Sequence, residues 1–277
     1  MNLLRRIIYG LRRQWIVINS VAAYDRNRQA AGSSLGAWEN VAGPAQMMLF
    51  FIAMRVGFSF LRGSNRFASG GSTDMYFNIV VFMSTGFCIA FLFRNVAIKS
   101  LSGLKLRAPL YYSRIKPIDI LMALSLNDMR ALSTLSLAIL GIVYYFTWSF
   151  QLDSPGLAIS VYLLTVMMAL GFGLSVVFLA KLNKWLIKFI RRLIQRIIIF
   201  TSGIFFATFE VPAHIRPFAT WNPILHGVEL FRYSINNEYP IPDISLSYLI
   251  LCSILMLSFS LILYRTNESL LLESNDD

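Results

Sequence analysis

Charge is what this sequence has least of. Asp, Glu, Lys and Arg make up 14% of its 277 residues, against 56% hydrophobic residues, and the mean hydropathy is +0.60. A soluble domain of this length has too little interior to hide that much apolar surface. The apolar runs are poor in ionisable groups, which speaks against secondary transporters and proton pumps, since these carry buried Asp, Glu or His along an ion path. Cysteine is scarce too. Cys88 and Cys252 both fall inside apolar runs, as small buried hydrophobes do, and not in the spacing of a disulfide or metal site. There is no GxxxxGK[ST] loop to cradle nucleotide phosphates, no HExxH and no GxSxG elbow. His214 and His226 are not spaced with carboxylates as a triad would be. An enzyme is therefore poorly supported, and no catalytic residue, metal or cofactor is expected on this chain. The opening MNLLRRIIYGLRRQW lacks a continuous apolar core and a small-residue cleavage site, so no secretory signal is predicted.

What is present in abundance is long apolar runs. They predict an all-α integral membrane protein, a single domain over 1–277, with six transmembrane helices near 44–61, 75–96, 127–148, 157–180, 191–210 and 245–264. Each is about 20 residues, enough for roughly 30 Å of hydrocarbon. Helix is required because backbone amides in lipid must be paired without water; the alternation of a barrel is absent. Before the first span, residues 3–29 form an amphipathic pattern. Leu4, Ile7, Ile8, Leu11, Trp15 and Ile18 follow helical spacing among arginines, which fits a helix lying in the membrane interface.

The formal net charge is +11, but the basic residues lie between apolar runs, where they set topology and do not point to nucleic acid. The N-terminal segment and the loops after the second and fourth spans are rich in Lys and Arg; residues 149–156 have none, and 211–244 have only Arg216 and Arg232. Both termini are accordingly expected on the cytoplasmic side. The first outside loop, with Arg62 and Arg66, is the exception.

Several segments invite functional readings. Arg55 is the clearest charge inside a span; with Arg62 and Arg66 it could meet an anionic polymer in transit, or it could snorkel to the outer headgroups. Phe58 and Phe87 are aromatic candidates for a path lined by sugar-stacking rings, although most such residues pack helices or face lipid. The cytoplasmic stretch 97–122 is basic and aromatic and is bounded by prolines, as a docking loop or as a connector with Tyr111 and Tyr112 in the interface belt. KLNKWLIKFIRRL is a second basic amphipathic stretch, suited to docking or to anionic lipid. Outside, in 211–244, Asn222 before Pro223 is a helix start signal. In the helix that follows, Ile224, Leu225, Val228 and Phe231 share an apolar face, while Glu229 and Arg232 can pair on the polar side.

Three of these places resemble ABC-2 type permeases, specifically the inner-membrane permeases of capsular-polysaccharide exporters. Leu35-Gly36-Ala37-Trp38 with Pro44 resembles the family's Gly-x-Trp…Pro entry into the first span. Ile115-Lys116-Pro117-Ile118-Asp119 resembles its Val-Lys-Pro-Leu-Asp. Trp221-Asn222-Pro223-Ile224-Leu225-His226 through Glu229-Leu230-Phe231-Arg232 resembles its Asn-Pro-Leu…Glu-x-x-Arg segment. Leu126-Asn127-Asp128 departs from the pattern, which has a Glu near there.

The resemblance implies a homodimer joined by two copies of an ABC ATP-binding subunit that holds ATP and Mg. An acidic, lipid-linked capsular polysaccharide would pass between the permease copies, across a bacterial inner membrane. It also implies an ATPase-docking role for Tyr111, Tyr112, Arg114, Lys116, Pro117 and Asp119, and an outer gate at Asn222, Pro223, Glu229 and Arg232. Membrane lipid and further periplasmic and outer-membrane export proteins are the remaining expected partners. The alternatives are the same machine with O-antigen, teichoic acid, a lipo-oligosaccharide or a drug as cargo, and an ATP-independent scaffold or channel.

Overall fold

The computed structural model describes residues 3–32, 39–61, 77, 79–102, 115–147, 152–182 and 184–266. In chain order the helices are α1 (Leu3–Gly32), α2 (Glu39–Leu61), α3 (Ile79–Ser102), α4 (Pro117–Thr147), α5 (Pro155–Leu182), α6 (Lys184–Thr201), α7 (Arg216–Thr220), α8 (Pro223–Ile235) and α9 (Leu246–Thr266), with a 3₁₀ turn at Thr208–Glu210. No strand occurs among the described residues.

Three of these helices are long and apolar enough to cross a membrane: Ile79–Ile98 in α3, Pro155–Val176 in α5 and Leu246–Thr266, which is α9. They differ in place. In α3, 78% of the apolar stretch is buried, against 17% in α9, so α3 is the central post and α9 stands at the rim. Helices α5 and α9 run parallel: the Ser253 hydroxyl donates to the Leu164 carbonyl at 3.0 Å. They touch so closely at Gly171 that a Cβ there would lie 2.6 Å from the Leu257 nitrogen. Helix α4 runs antiparallel to α3 and α5, with Ser136 beside Cys88 at 2.9 Å and the Tyr162 hydroxyl donating to the Met129 carbonyl at 3.1 Å. The core gathers around α3, where Phe87 contacts Phe51 and Phe91 at ring-centre distances of 5.8 and 5.0 Å.

The bundle therefore has two unlike ends. At one, α1 packs along the first half of α4. At the other, where α3, α5 and α9 begin, α8 is wedged between helices. Gly227 of α8 is the point of closest approach: a Cβ would meet Ile89 Cγ2 at 3.2 Å and Thr165 Oγ1 at 3.3 Å. Both neighbours lie ten residues into their helices, roughly 15 Å down at 1.5 Å per residue. Helix α8 is thus inserted into the bundle and does not lie on its surface.

Two expected boundaries shift. The run expected to span 191–210 is helical only to Thr201. Gly203 then takes a left-handed φ of +79°, and a Cβ on it would sit 2.3 Å from Leu225 Cδ1. Glycine both permits the turn and makes room for α8. The stretch 97–122 is not a loop throughout. Helix α3 continues to Ser102, and α4 opens at Pro117 with Asp119 in its first turn. Proline at the first helical position and an acid near the amide end are both favourable there.

Candidate coupling and gating elements

The α8 end is built on polar groups that the lipid phase cannot satisfy. Asn222 caps α8, accepting from the Ile224 amide at 3.0 Å. Its own amide donates to the Thr201 carbonyl and lies 3.1 Å from the Thr201 hydroxyl, the carbonyl distance being 3.0 Å. One side chain thus starts α8 and ties it to the end of α6. Pro223 occupies the first turn, where its missing N–H costs nothing.

Glu229 and Arg232 pair at 2.8 Å, and both are fully buried. The expectation of a polar, outward side of this helix is corrected: all of α8 except Pro223 and Tyr233 is buried. The reason is that the pair has partners inside. Arg232 Nη2 donates to the carbonyls of Phe82 and Ile204 at 3.0 and 3.3 Å. The guanidinium lies 3.5 Å from the Phe82 ring centre, a cation–π contact that desolvation strengthens. Tyr239 and the Thr208 backbone meet the Glu229 carboxylate. Gly86 supplies the space, since a Cβ there would come within 2.9 Å of Arg232 Nη2.

His226 holds the same corner from the other side. Its Nδ1 accepts from the Ser245 amide at 3.0 Å, just before α9, so the ring proton sits on Nε2 and is donated to the Thr220 carbonyl at 2.7 Å. Burial lowers its pKa below the ordinary histidine value. The imidazole lies 4.6 Å from the ring centre of Tyr248, tilted by 42°, and the Tyr248 hydroxyl donates to the Trp221 carbonyl.

At the opposite end, α1 is fastened to α4 by both apolar and polar contacts. Ile18, Val21 and Ala22 pack against Ile120, Ala123 and Leu124. Asn127 donates to the Ala22 carbonyl at 2.9 Å and to Asp25 at 3.1 Å, and Arg130 donates to Asn19 at 2.8 Å. Gln14 donates to Asp119. Asp119 also accepts from the Lys116 amide at 3.0 Å and is buried. It therefore binds the start of α4 to α1 and offers no surface charge, whereas Lys116 remains exposed.

The other expected residues fare variously. Tyr111, Tyr112, Arg114 and Arg62 lie outside the described residues, and Arg55, Phe58 and Pro117 are described in backbone only. Phe87, a candidate path residue, is 2% exposed and packed among the rings of Phe51, Phe91 and Phe205. The sequence reading missed Arg94, a part-exposed cation inside the α3 span, 3.5 Å from Met47 Sδ and 5.1 Å from the Phe91 ring centre. It missed Asp25 and Asn127 as well. The hydrophilic Asn127 at the edge of an apolar run was the available signal.

This assembly of apolar helices, an amphipathic first helix and a wedged helix before the last apolar one is that of an integral membrane protein. The sequence pattern of the ABC-2 type transporter family matches residues 25–236, most of the chain, and the chain belongs to that family. It is similar to the polysialic acid transport protein KpsM of Escherichia coli, 26% identical over 195 residues, which covers 70% of this chain and 75% of that one. It is 23% identical over 223 residues to the capsule polysaccharide export inner-membrane protein BexB of Haemophilus influenzae, covering 79% of each. With the capsule polysaccharide export inner-membrane protein CtrC of Neisseria meningitidis it shares 24% identity over 185 residues, 66% of this chain and 69% of that one.

Proposed function

We propose that this chain is the permease subunit of an ATP-driven exporter that moves a lipid-linked, acidic capsular polysaccharide across the bacterial inner membrane. Two copies form the conduit and two copies of a separate ATP-binding subunit supply the energy. The observation that carries the reading is the similarity, over 66–79% of the chain, to relatives named for polysialic acid transport and for capsule polysaccharide export. Polysialic acid, the cargo in one relative's name, is an acidic polymer, which is the basis for expecting an acidic cargo here.

In this reading six helices cross the membrane: α2, α3, α4, α5, α6 and α9. The α1 end is cytoplasmic, which agrees with its exposed Arg5, Arg12, Arg13, Arg26 and Arg28. The ATP-binding subunit docks on the segment between α3 and α4. Because α1 and the start of α4 are joined by hydrogen bonds and an apolar seam, they move as one body when the subunit closes on nucleotide. The α8 end faces outward, and α8 with its capping turn opens and closes the exit.

Deletion of the gene with surface-glycan staining tests this reading. Polymer trapped inside the cell is expected, and its chemical analysis names the cargo. Normal surface glycan after deletion would sink the export reading. Purification in mild detergent is expected to bring down an ATP-binding protein.

A further inference from the structure

Arg94 is a cation with few partners for the place it occupies. It lies inside the apolar stretch Ile79–Ile98 of α3, about 6 Å from the end at Ile98. A guanidinium is all donor and no acceptor. Here Nε is enclosed with no acceptor, Nη1 meets only the Met47 thioether at 3.5 Å, and the Phe91 ring centre stands 5.1 Å away. Among the described residues no carboxylate pairs with it. The side chain is only half-buried and Met47 beside it is 37% exposed, so this corner opens on the surface.

The same Phe91 walls a narrow, part-open slot. Its other walls include Pro44 and Met48 of α2 and Leu132, Leu135 and Ile139 of α4. The hydroxyls that border it, on Ser84, Thr85 and Ser136, are spent on carbonyls of their own helices, so it offers apolar surface and holds water poorly. On α3 the slot runs from Ser84 to Phe91, about 5 to 15 Å further from the Ile98 end than Arg94 and in the middle of the apolar stretch. A cation inside a span is costly unless it pairs or reaches the headgroups. Snorkelling to water would account for the cation but not for the slot beside it. A cation near the membrane boundary, with an apolar slot on its membrane-centre side, is the complement of an amphiphile.

We propose that Arg94 and this slot form a binding site for a membrane phospholipid in the leaflet at the α1 end. Its phosphodiester sits on the guanidinium, and part of one acyl chain lies between α2 and α4. A phosphate oxygen is a far stronger acceptor than a thioether, so it takes the Nη donors from Met47. The Phe91 ring, which favours the cation on one side and walls the slot on the other, joins the two halves of the site. The lipid thereby bridges α2 to α3 and α4. The site does not depend on what the protein exports.

The test uses the full-length permease, delipidated in detergent, and a phosphatidylglycerol with a photoactivatable diazirine in one acyl chain. Labelling is expected to saturate and to map to the slot walls on α2 and α4. Diacylglycerol with the same chains lacks the phosphate and should compete roughly tenfold less well than unlabelled phosphatidylglycerol, the scale of one lost charge-assisted pair. Glycerophosphoglycerol lacks the chains and should not compete. R94Q should raise the concentration for half-labelling by roughly tenfold, and R94K should keep most of the labelling. Unchanged labelling in R94Q, or equal competition by diacylglycerol, overturns the headgroup site. Labels spread over the exposed surface of α9, with no excess at the slot, overturn the slot. The wild-type map and the competition series need no variant, so they decide the matter even where R94Q does not fold. Labelling that a glycolipid cargo displaces and phosphatidylglycerol does not assigns the site to cargo and overturns the phospholipid.

Discussion

Arg232 and Phe82 stand 150 residues apart in the chain, yet the guanidinium of one lies 3.5 Å from the ring centre of the other and donates to that same residue's carbonyl at 3.0 Å. The contact joins α8 to the first turn of α3 in a fully buried site, with Glu229 completing the pair. Replacing Arg232 with Met strands a buried carboxylate, and removing one member of a buried pair costs about 3–5 kcal/mol. The detergent-solubilised variant should melt well below the wild type. E229Q/R232M should regain part of the loss, because the stranded charge goes with it. Equal melting of R232M and wild type would mean that the pair does not hold α8.

Asn127 should matter to α1 more than to the bundle as a whole. In Asn127→Ala the Ala22 carbonyl and the Asp25 carboxylate each lose a buried donor, at a cost of about 1–3 kcal/mol. Hydrogen exchange of the α1 amides should quicken while that of α3 stays slow. Uniform exchange changes in both helices would show that α1 is not a separately fastened unit.

How much of this was legible beforehand depends on whether the signal was local. Asn222 and Pro223 were readable as a helix start because capping is settled within one turn. Glu229 and Arg232 were readable as a pair for the same reason. Their burial was not, since it depends on Gly86, Phe82 and Ile204, which only the fold brings near. The premature end of α6 had a local cause in Gly203, but its left-handed turn is selected by the approach of Leu225, again a distant residue. Asp119 was readable as part of the Ile115–Asp119 motif, but not as a buried tie to α1, because its partner Gln14 lies 105 positions away.

The His226 arrangement predicts a pH dependence. Its folded-state pKa is depressed, and Nδ1 can accept from the Ser245 amide only while unprotonated. In the window between the lowered folded value and the ordinary one near 6.5, the unfolded chain binds more protons than the folded one, so stability rises with pH there. The contribution is complete above about pH 6.5 and is lost as pH falls through that window. Melting temperatures from pH 7.5 downward should decline more steeply in the wild type than in His226→Gln. Parallel curves would remove His226 as the titrating group.

Gly171 should tolerate no side chain. A Cβ would lie 2.6 Å from backbone atoms of Met256 and Leu257, which cannot swing aside as a flexible side chain could. Gly171→Ala must part α5 from α9, with an overpacking cost of about 1–3 kcal/mol or more. Lower yield and melting temperature are expected, while Gly156→Ala, in open space on the same helix, serves as the benign control. Equal behaviour of the two would show that α5 and α9 are not in rigid contact.

Helix α4 is longer than a bilayer requires. Its 31 residues reach about 46 Å, against roughly 30 Å of hydrocarbon, and after Pro117 it has no proline and a glycine only at 141. Such a rod has no joint at which to dissipate a sideways push. If the surplus third projects where α1 grips it, the membrane boundary acts as a fulcrum, and the long arm sweeps about twice the distance of the short one, in the opposite direction. A modest nudge at the gripped tip is thereby delivered, enlarged and reversed, to the far leaflet without any part of the helix changing shape.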